Sequence, residues 1–492
     1  MIRRAAGALL LLAVTGCAST GGEGSKPSWV PKVPGLGGKG GEVILLAGLK
    51  PGGYEPSMLA VGEEKDLARY RGDSLGFVRS AALEQYLNEL RDALILRSGK
   101  TGVPGRVVIL ANPSFAALST PDGNVYISMG ALQMLDSADE VAALLAHELA
   151  HVLLKHHTSD VIGDMQRRGL ALYELGMDLK TQLAGPGKGA KDDARNRLIG
   201  HGVTEATGKL ILPAWSRGQE READLLGLDL LVESKYSAPA MITMLEKLRA
   251  SEKASKDSEE GLLEQMKQAS QRDVNQAIGF AYDKLLSGVS ASHPKTSERI
   301  EDTAQYLDRH YGSREVPDPK TSPWKALMGR PDVAQVMGNY KQAFTAKRLL
   351  DQGQKQEAYA AARTAATGRT ATDAYPNLIL AQSAEALGRQ AEAMEALRRA
   401  AGSTEPVAPV YEELIFAQER AGHVAVALDL TDRASKTFGG APRWTPIKIR
   451  LLRKAGRVAE AGTLAVTCSV STPDLKRPCQ EANHTPAGRA QR

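Results

Sequence analysis

Two histidines and a glutamate stand in the spacing His147-Glu148-Leu-Ala-His151. On a helix, residues four apart lie one turn above each other on one face. Both imidazoles can therefore reach a single metal ion, and Glu148 is placed to take a proton from a water activated there. A hydrolytic zinc takes three protein ligands and keeps a fourth position open, so a third ligand is required. The stretch Ser216-Arg-Gly-Gln-Glu-Arg-Glu-Ala-Asp-Leu-Leu-Gly227 supplies it. Glu220 and Asp224 are again one turn apart, Glu220 as the third ligand and Asp224 as acceptor of a hydrogen bond that fixes a ligand histidine's tautomer. Glu222 points to the other side of such a helix at ~100° per residue, which favours Glu220 over it. For either segment alone, a solvated helix face is the plain alternative; together they point to one centre.

The elements that must hold these residues are legible around them. Ser137 and Glu140 read as a capping box that starts the first helix, and Ser216 with Gln219 as a second. Val141, Leu145, Leu149 and Val152 point away from the histidines, giving a packed face and leaving the other for chemistry. Upstream, Val78, Ala82, Leu83, Tyr86, Leu87, Leu90 and Leu94 mark an amphipathic helix over 75–99. Arg106-Val-Val-Ile-Leu110 is a short buried strand, and Val125-Tyr-Ile a second after the Pro121-Asp-Gly turn. A strand beside such a cleft holds a substrate backbone extended by strand addition. The insert 152–215 reads as mostly helical, broken at Gly185-Pro-Gly-Lys-Gly, and its apolar stretch 198–215 covers the site or touches a membrane. On a continuing helix, His156 falls about 180° round from His147 and reads as a packed or capping residue. His201, His310, His423 and His484 have no partner spacing and read as surface residues. His293 precedes Pro294, a good first helical residue, and by itself reads as a helix cap.

The His-Glu-Leu-Ala-His motif, the 216–227 segment and Ser292-His-Pro-x-x-x-x-Arg-Ile300 together resemble the zinc peptidase family of the CAAX prenyl proteases. That family includes soluble bacterial periplasmic members. The resemblance spans residues 75–312 and implies a zincin-like fold with one zinc per chain. It makes His147, His151 and Glu220 the ligands and Glu148 the base, and sets His293 close to the metal. His293 then becomes a candidate fourth ligand, displacing the water at rest until a client draws away the loop 286–292. Arg299 is a candidate donor for the oxyanion. The family's substrate hairpin reads Asn-Ala-Phe-Ala-x-Pro-Gly-Gly, and here it is Ala116-Ala-Leu-Ser-Thr-Pro-Asp-Gly123. The departure touches substrate contact, not the metal.

The ends of the 492-residue chain carry different signals. Met1-Ile-Arg-Arg, an apolar run to Val14 and then Thr-Gly-Cys17 form a lipoprotein-type secretory leader, too short for a membrane span. By analogy with lipoprotein sorting, Ala18 after the cysteine favours the outer membrane. Residues 18–41, rich in Gly, Ser, Pro and Lys, read as a flexible tether. The chain has 62 basic against 57 acidic residues. Removal of Arg3 and Arg4 with the leader leaves about +3, no nucleic-acid signature. After the break Val316-Pro-Asp-Pro-Lys-Thr-Ser-Pro323, Gly353, Gly388, Gly422 and Gly456 recur at spacings of 35, 34 and 34. Each is followed by small residues at fixed offsets: Ala358 and Ala365, Ala393 and Ala400, Ala427 and Ala434, Ala461 and Cys468. That period is the tetratricopeptide signature, whose stacked helix pairs present a concave surface to a partner. Cys468 and Cys479, an even pair in an exported chain, read as a disulfide, and the rest of the Pro-rich tail as disordered.

The expected fold is mainly α: a zincin-like metalloprotease domain with a small β-hairpin or sheet, followed by an α-solenoid of tetratricopeptide repeats. The expected divisions are a leader 1–16, a tether 17–41 from lipidated Cys17, a protease domain 42–312, a linker 313–334, repeats 335–468 and a tail 469–492. The expected function is a periplasmic, lipid-anchored zinc endopeptidase acting on polypeptides. Protease plus repeats resembles envelope quality control, with misfolded or stalled outer-membrane β-barrel proteins and their assembly machinery as partners. Two other readings stand beside it: an assembly chaperone working through its repeats with a quiet peptidase site, and a dedicated processing peptidase. The full set of catalytic residue types favours activity.

Overall fold

A computed structural model describes residues 43–158, 215–269, 296–438, 440, 443–472 and 475–486. The leader with Cys17, the tether, the insert 159–214 with His201, the loop 286–292 and His293 lie outside the described residues.

The described chain begins with helix α1 (Leu45–Gly48), strand β1 (Gly52–Gly53), α2 (Glu63–Asp73) and α3 (Ala81–Arg97). Strand β2 (Lys100–Thr101) pairs in parallel with β1. Three further strands, β3 (Val107–Leu110), β4 (Ala117–Ser119) and β5 (Val125–Ser128), form a sheet in the order β3-β5-β4. β3 runs parallel to β5, with Val107 opposite Val125, and β4 runs antiparallel to it, with Ser119 opposite Val125. Alternate side chains divide cleanly. Val107, Ile109, Val125 and Ile127 join the main core with Leu83, Leu87, Leu90 and Leu94 of α3. Val108, Leu110, Leu118 and Tyr126 meet Leu67 and Tyr70 of α2 on the opposite face. Because both faces are covered, β3 and β5 read as unbroken apolar runs.

The hairpin of the resemblance is β4–β5, and its first arm, β4, is one of the sheet's two edge strands. Asp66 of α2 grips it, accepting hydrogen bonds from Thr120 Oγ1, Asn124 Nδ2 and Tyr126 OH at 2.9, 2.7 and 3.0 Å. At its turn, Gly123 (φ +78°) passes Gly105 (φ +87°) so closely that a Cβ on Gly105 would lie 2.2 Å from the Gly123 carbonyl carbon. Only glycine fits there.

Helix α4 (Met129–Met134) leads into α5 (Ala138–Leu153), which bears the two motif histidines. Ser137 caps α5 through the Glu140 amide, but the Glu140 carboxylate reaches past Ser137 to the Asp136 amide, so the box is displaced by one residue. Every residue of α5 is buried, on the histidine face as well as the apolar one. The expectation of an open catalytic face gives way because α6 (Arg217–Glu233) packs across it. Helices α7 (Ala240–Ala269) and α8 (Thr296–Tyr311) complete this half.

The stretch expected as a linker carries α9 (Thr321–Met328) and is docked. Trp324 is buried, and its Nε1 donates to the Leu135 carbonyl at 2.9 Å. Asp139 accepts from the Lys320 and Ser237 amides, and the Ala138 amide donates to the Lys320 carbonyl. Four helix pairs follow: α10 (Pro331–Asp351) with α11 (Lys355–Ala365), α12 (Ala374–Ala386) with α13 (Gln390–Ala401), α14 (Ala408–Arg420) with α15 (Val424–Thr437), and α16 (Trp444–Lys454) with α17 (Val458–Ser471). Gly353, Gly388, Gly422 and Gly456 turn the chain within each pair at φ of +76°, +74°, +79° and +77°. The seven alanines and Cys468 at the repeating offsets are all buried. Cys468 is bonded to Cys479 on a closing helix, α18 (Lys476–Asn483). This part of the expected disordered tail is ordered because Leu475, Cys479 and Ala482 pack onto the last pair. The helix pairs also fold back on α2: Glu405 pairs with Arg71 and Arg79 at 2.8 and 2.9 Å, and buried Arg443 donates to the Gly72 carbonyl. Among the described residues, no helix is long and apolar enough to cross a membrane.

Candidate metal centre

Helix α5 presents His147 and His151 one turn apart, and α6 presents Glu220 and Asp224 one turn apart against them. Ser216 and Gln219 form the complete capping box that starts α6, which sets Glu220 in its first turn. The two helices approach closely because α6 carries Gly227 at the crossing. A Cβ there would lie 3.1 Å from the His147 amide nitrogen and 2.8 Å from the Met241 methyl. The glycine that ends the downstream motif is thus a packing requirement of the centre.

Three ligand-type atoms converge. The Nε2 atoms of His147 and His151 are 3.2 Å apart, and Glu220 lies with Oε2 3.6 Å from the first and Oε1 3.7 Å from the second. A tetrahedral ion with bonds of about 2.0–2.1 Å has ligand–ligand edges of about 3.4 Å. One ligand atom from each residue lies within 4.8 Å of the others, close enough for one such ion to gather them, and all three residues are buried. The donor set fits as well. Two imidazoles and a carboxylate are the nitrogen and oxygen donors a zinc ion takes, and buried Glu220 and Asp224 share the guanidinium of Arg299.

His147 Nδ1 lies 2.9 Å from Asp224 Oδ1, which leaves Nε2 as the lone-pair atom facing the centre. Arg299 of α8 grips Asp224 through Nε and Nη2, each at 2.7 Å, and its Nη1 lies 2.9 Å from Glu220. Burial alone would raise the Asp224 carboxyl, but the Arg299 charge and then His147 outweigh it and hold it at about 2. Burial likewise opposes the Arg299 charge, and Asp224 and Glu220 overcome that and raise it. Arg299 therefore braces the carboxylates; both are already on its guanidinium, and the expected role as oxyanion donor gives way to this one.

Of the residues singled out from the sequence, His147, His151, Glu220, Asp224 and Arg299 come together, Glu148 is buried next to His147 on α5, and His293 is outside the described residues. His423 and His484 are exposed as expected, while His310 is half-buried against Tyr306. Of the apolar stretch 198–215 expected over the site, Trp215 is the described residue and lies at the centre, and His156 and His157 join it unexpectedly. Trp215 stacks on His151 with ring centroids 4.4 Å apart. His157 lies edge-on to Trp215 and shares a 3.0 Å hydrogen bond from Nε2 to the Ser119 carbonyl on β4; burial pushes its pKa down to about 4. His156 stands 2.9 Å from His151, Nδ1 to Nδ1, and its Nε2 is 3.1 Å from Glu222. Helical counting fails here because α5 ends at Leu153 and Lys155 takes φ +53°, returning the chain toward the centre.

Residues 80–306 match the model of peptidase family M48, a zinc metalloprotease family. The chain is 24% identical over 249 residues to the mitochondrial metalloendopeptidase OMA1 of Schizosaccharomyces pombe, covering 50% of this chain and 60% of that one. It is 28% identical over 199 residues to the beta-barrel assembly-enhancing protease of Escherichia coli (strain K12), covering 39% of each. It is 23% identical over 164 residues to a putative beta-barrel assembly-enhancing protease of Vibrio cholerae, covering 33% of this chain and 32% of that one. The chain spans less than two thirds of the length of each of these relatives.

Proposed function

We propose that the chain is a zinc-dependent endopeptidase of the bacterial cell envelope, with His147, His151 and Glu220 holding one zinc ion. The observation that carries this is the buried convergence of those three side chains, whose closest approaches are 3.2–3.7 Å. A zinc ion held by these residues would supply a Lewis acid for activating a water and a peptide carbonyl. Glu148, next to His147 on α5, takes the proton from the attacking water and returns it to the leaving amine. Asp224, held by Arg299, keeps His147 in the tautomer that offers Nε2. The edge strand β4, beside α5, offers backbone groups to an extended peptide.

The four helix pairs with their αL glycines support a tetratricopeptide reading of the C-terminal half, which then docks clients or assembly machinery. The relatives named for β-barrel assembly support stalled or misfolded outer-membrane proteins as clients. The Cys17 leader supports a lipid anchor in the outer membrane, facing the periplasm. His293 completes the reading as a resting-state fourth ligand, so His293→Ala should raise basal proteolysis with zinc retained; lowered activity would make it a substrate contact instead.

The direct test is Glu148→Gln. It should keep one zinc per chain by elemental analysis and lose casein cleavage by about 10²-fold or more. Undiminished cleavage by that variant would overturn the mechanism.

A further inference from the structure

The two helix histidines are supported differently. His147 Nδ1 faces a carboxylate, that of Asp224, at 2.9 Å. His151 Nδ1 faces another imidazole nitrogen, Nδ1 of His156, at 2.9 Å, and His156 Nε2 faces Glu222 Oε2 at 3.1 Å. Two like ring nitrogens in contact share one hydrogen, so the direction of this chain is set by its ends. With the His151 Nε2 lone pair turned to the metal, its Nδ1 carries the hydrogen and donates to His156 Nδ1. The His156 hydrogen then sits on Nε2 and donates to the Glu222 carboxylate.

The His156 ring is confined. It is buried, lies edge-on to His151 with centroids 5.0 Å apart, and sits 5.9 Å from the Trp215 ring. Its backbone is held as well, since Gln219 Nε2 donates to the His156 carbonyl at 3.2 Å. The opening turns of α6 thus supply the ligand Glu220 and two holders of His156, Gln219 by its backbone and Glu222 by its ring.

We propose that His156 and Glu222 are positioning residues of the metal centre, a relay that fixes the tautomer and aim of His151 as Asp224 does for His147. This rests on the zinc-peptidase reading above. It also assigns a role to Glu222 distinct from that of Glu220 two residues before it: one carboxylate faces the metal and the other acts through an imidazole.

The test uses the full chain and its zinc, not its activity. Zinc affinity and release are followed by competition with a chromophoric chelator for wild type, His156→Leu, His156→Asn, Glu222→Ala and Glu222→Gln. His156→Leu should weaken zinc binding by about 10–100-fold and speed release accordingly. His156→Asn, whose Oδ1 takes the place of Nδ1 as acceptor, should recover much of that loss. Glu222→Ala should shift binding in the same direction by less, and Glu222→Gln, which keeps an acceptor, by less again. Glu222 is partly exposed, so its variants keep the test decisive if His156→Leu does not fold. Zinc affinity unchanged within about two-fold in His156→Leu and Glu222→Ala, against a wild type that binds one zinc, overturns the relay and leaves the peptidase reading standing. A folded wild type that binds no zinc overturns both.

Discussion

Arg299 holds Asp224 through both carboxylate oxygens at 2.7 Å, with its third nitrogen 2.9 Å from Glu220. One guanidinium thus braces a candidate ligand and the residue that orients another. A lysine ammonium cannot reproduce this planar fork. Removing Arg299 leaves two buried carboxylates facing each other across the gap, so Arg299→Ala should cost about 3–5 kcal/mol of stability. Arg299→Lys should lie between it and wild type, and both should bind zinc more weakly. Denaturant unfolding and zinc titration read these outcomes, and a wild-type profile for Arg299→Ala would refute the brace.

His157 predicts a pH dependence. Burial holds its folded pKa at about 4, below the ordinary 6.5. Between those values the unfolded chain binds a proton that the folded chain does not, so this contribution is complete above pH 6.5 and shrinks as pH falls towards 4. At pH 5 the loss is on the order of 2 kcal/mol. His157→Gln should therefore narrow the gap in thermal midpoint between pH 7.5 and pH 5. An unchanged gap would show that His157 does not set the acid limb.

The disulfide between Cys468 and Cys479 spans eleven residues, and closing a loop of that size contributes about 2–3 kcal/mol. Replacing both cysteines with alanine suits the 468 position, where the earlier pairs carry Ala365, Ala400 and Ala434. The variant should keep α17 and lose α18, seen as faster amide exchange over residues 475–486 alone. Protection unchanged there would show that packing by Leu475 and Ala482 suffices without the bond.

Regular periodicity made much of this molecule legible. His147 and His151, and Glu220 and Asp224, are one helical turn apart, and helices hold them as that spacing requires. The four turn glycines were readable because the αL conformation and the tight helix pair both demand them. Legibility stopped where periodicity stopped. Lys155 breaks the helical count with a positive φ, so His156 and His157 landed at the centre unannounced. The openness of the histidine face could not be read from α5, since its burial depends on where α6 packs. Helix α18 is built mostly of good helix formers but is only eight residues long, too short to hold by itself; its order comes from Cys479 and the groove it fills.

The Pro-rich stretch at 316–323 is where a cut between the two halves would ordinarily be made. The docking of Lys320 and Trp324 onto the start of α5 makes it a poor one. A chain ending before residue 320 would strip partners from the Ala138 amide, one oxygen of Asp139 and the Leu135 carbonyl. Those groups sit at the N-terminus of the helix that carries His147 and His151. A truncation that takes residues 313–334 away with the repeats therefore also loosens the helix that carries His147 and His151, and its loss of activity would say nothing about the proposed docking of clients. Separating the two proposed roles calls for changes on the repeats that leave residues 313–334 whole.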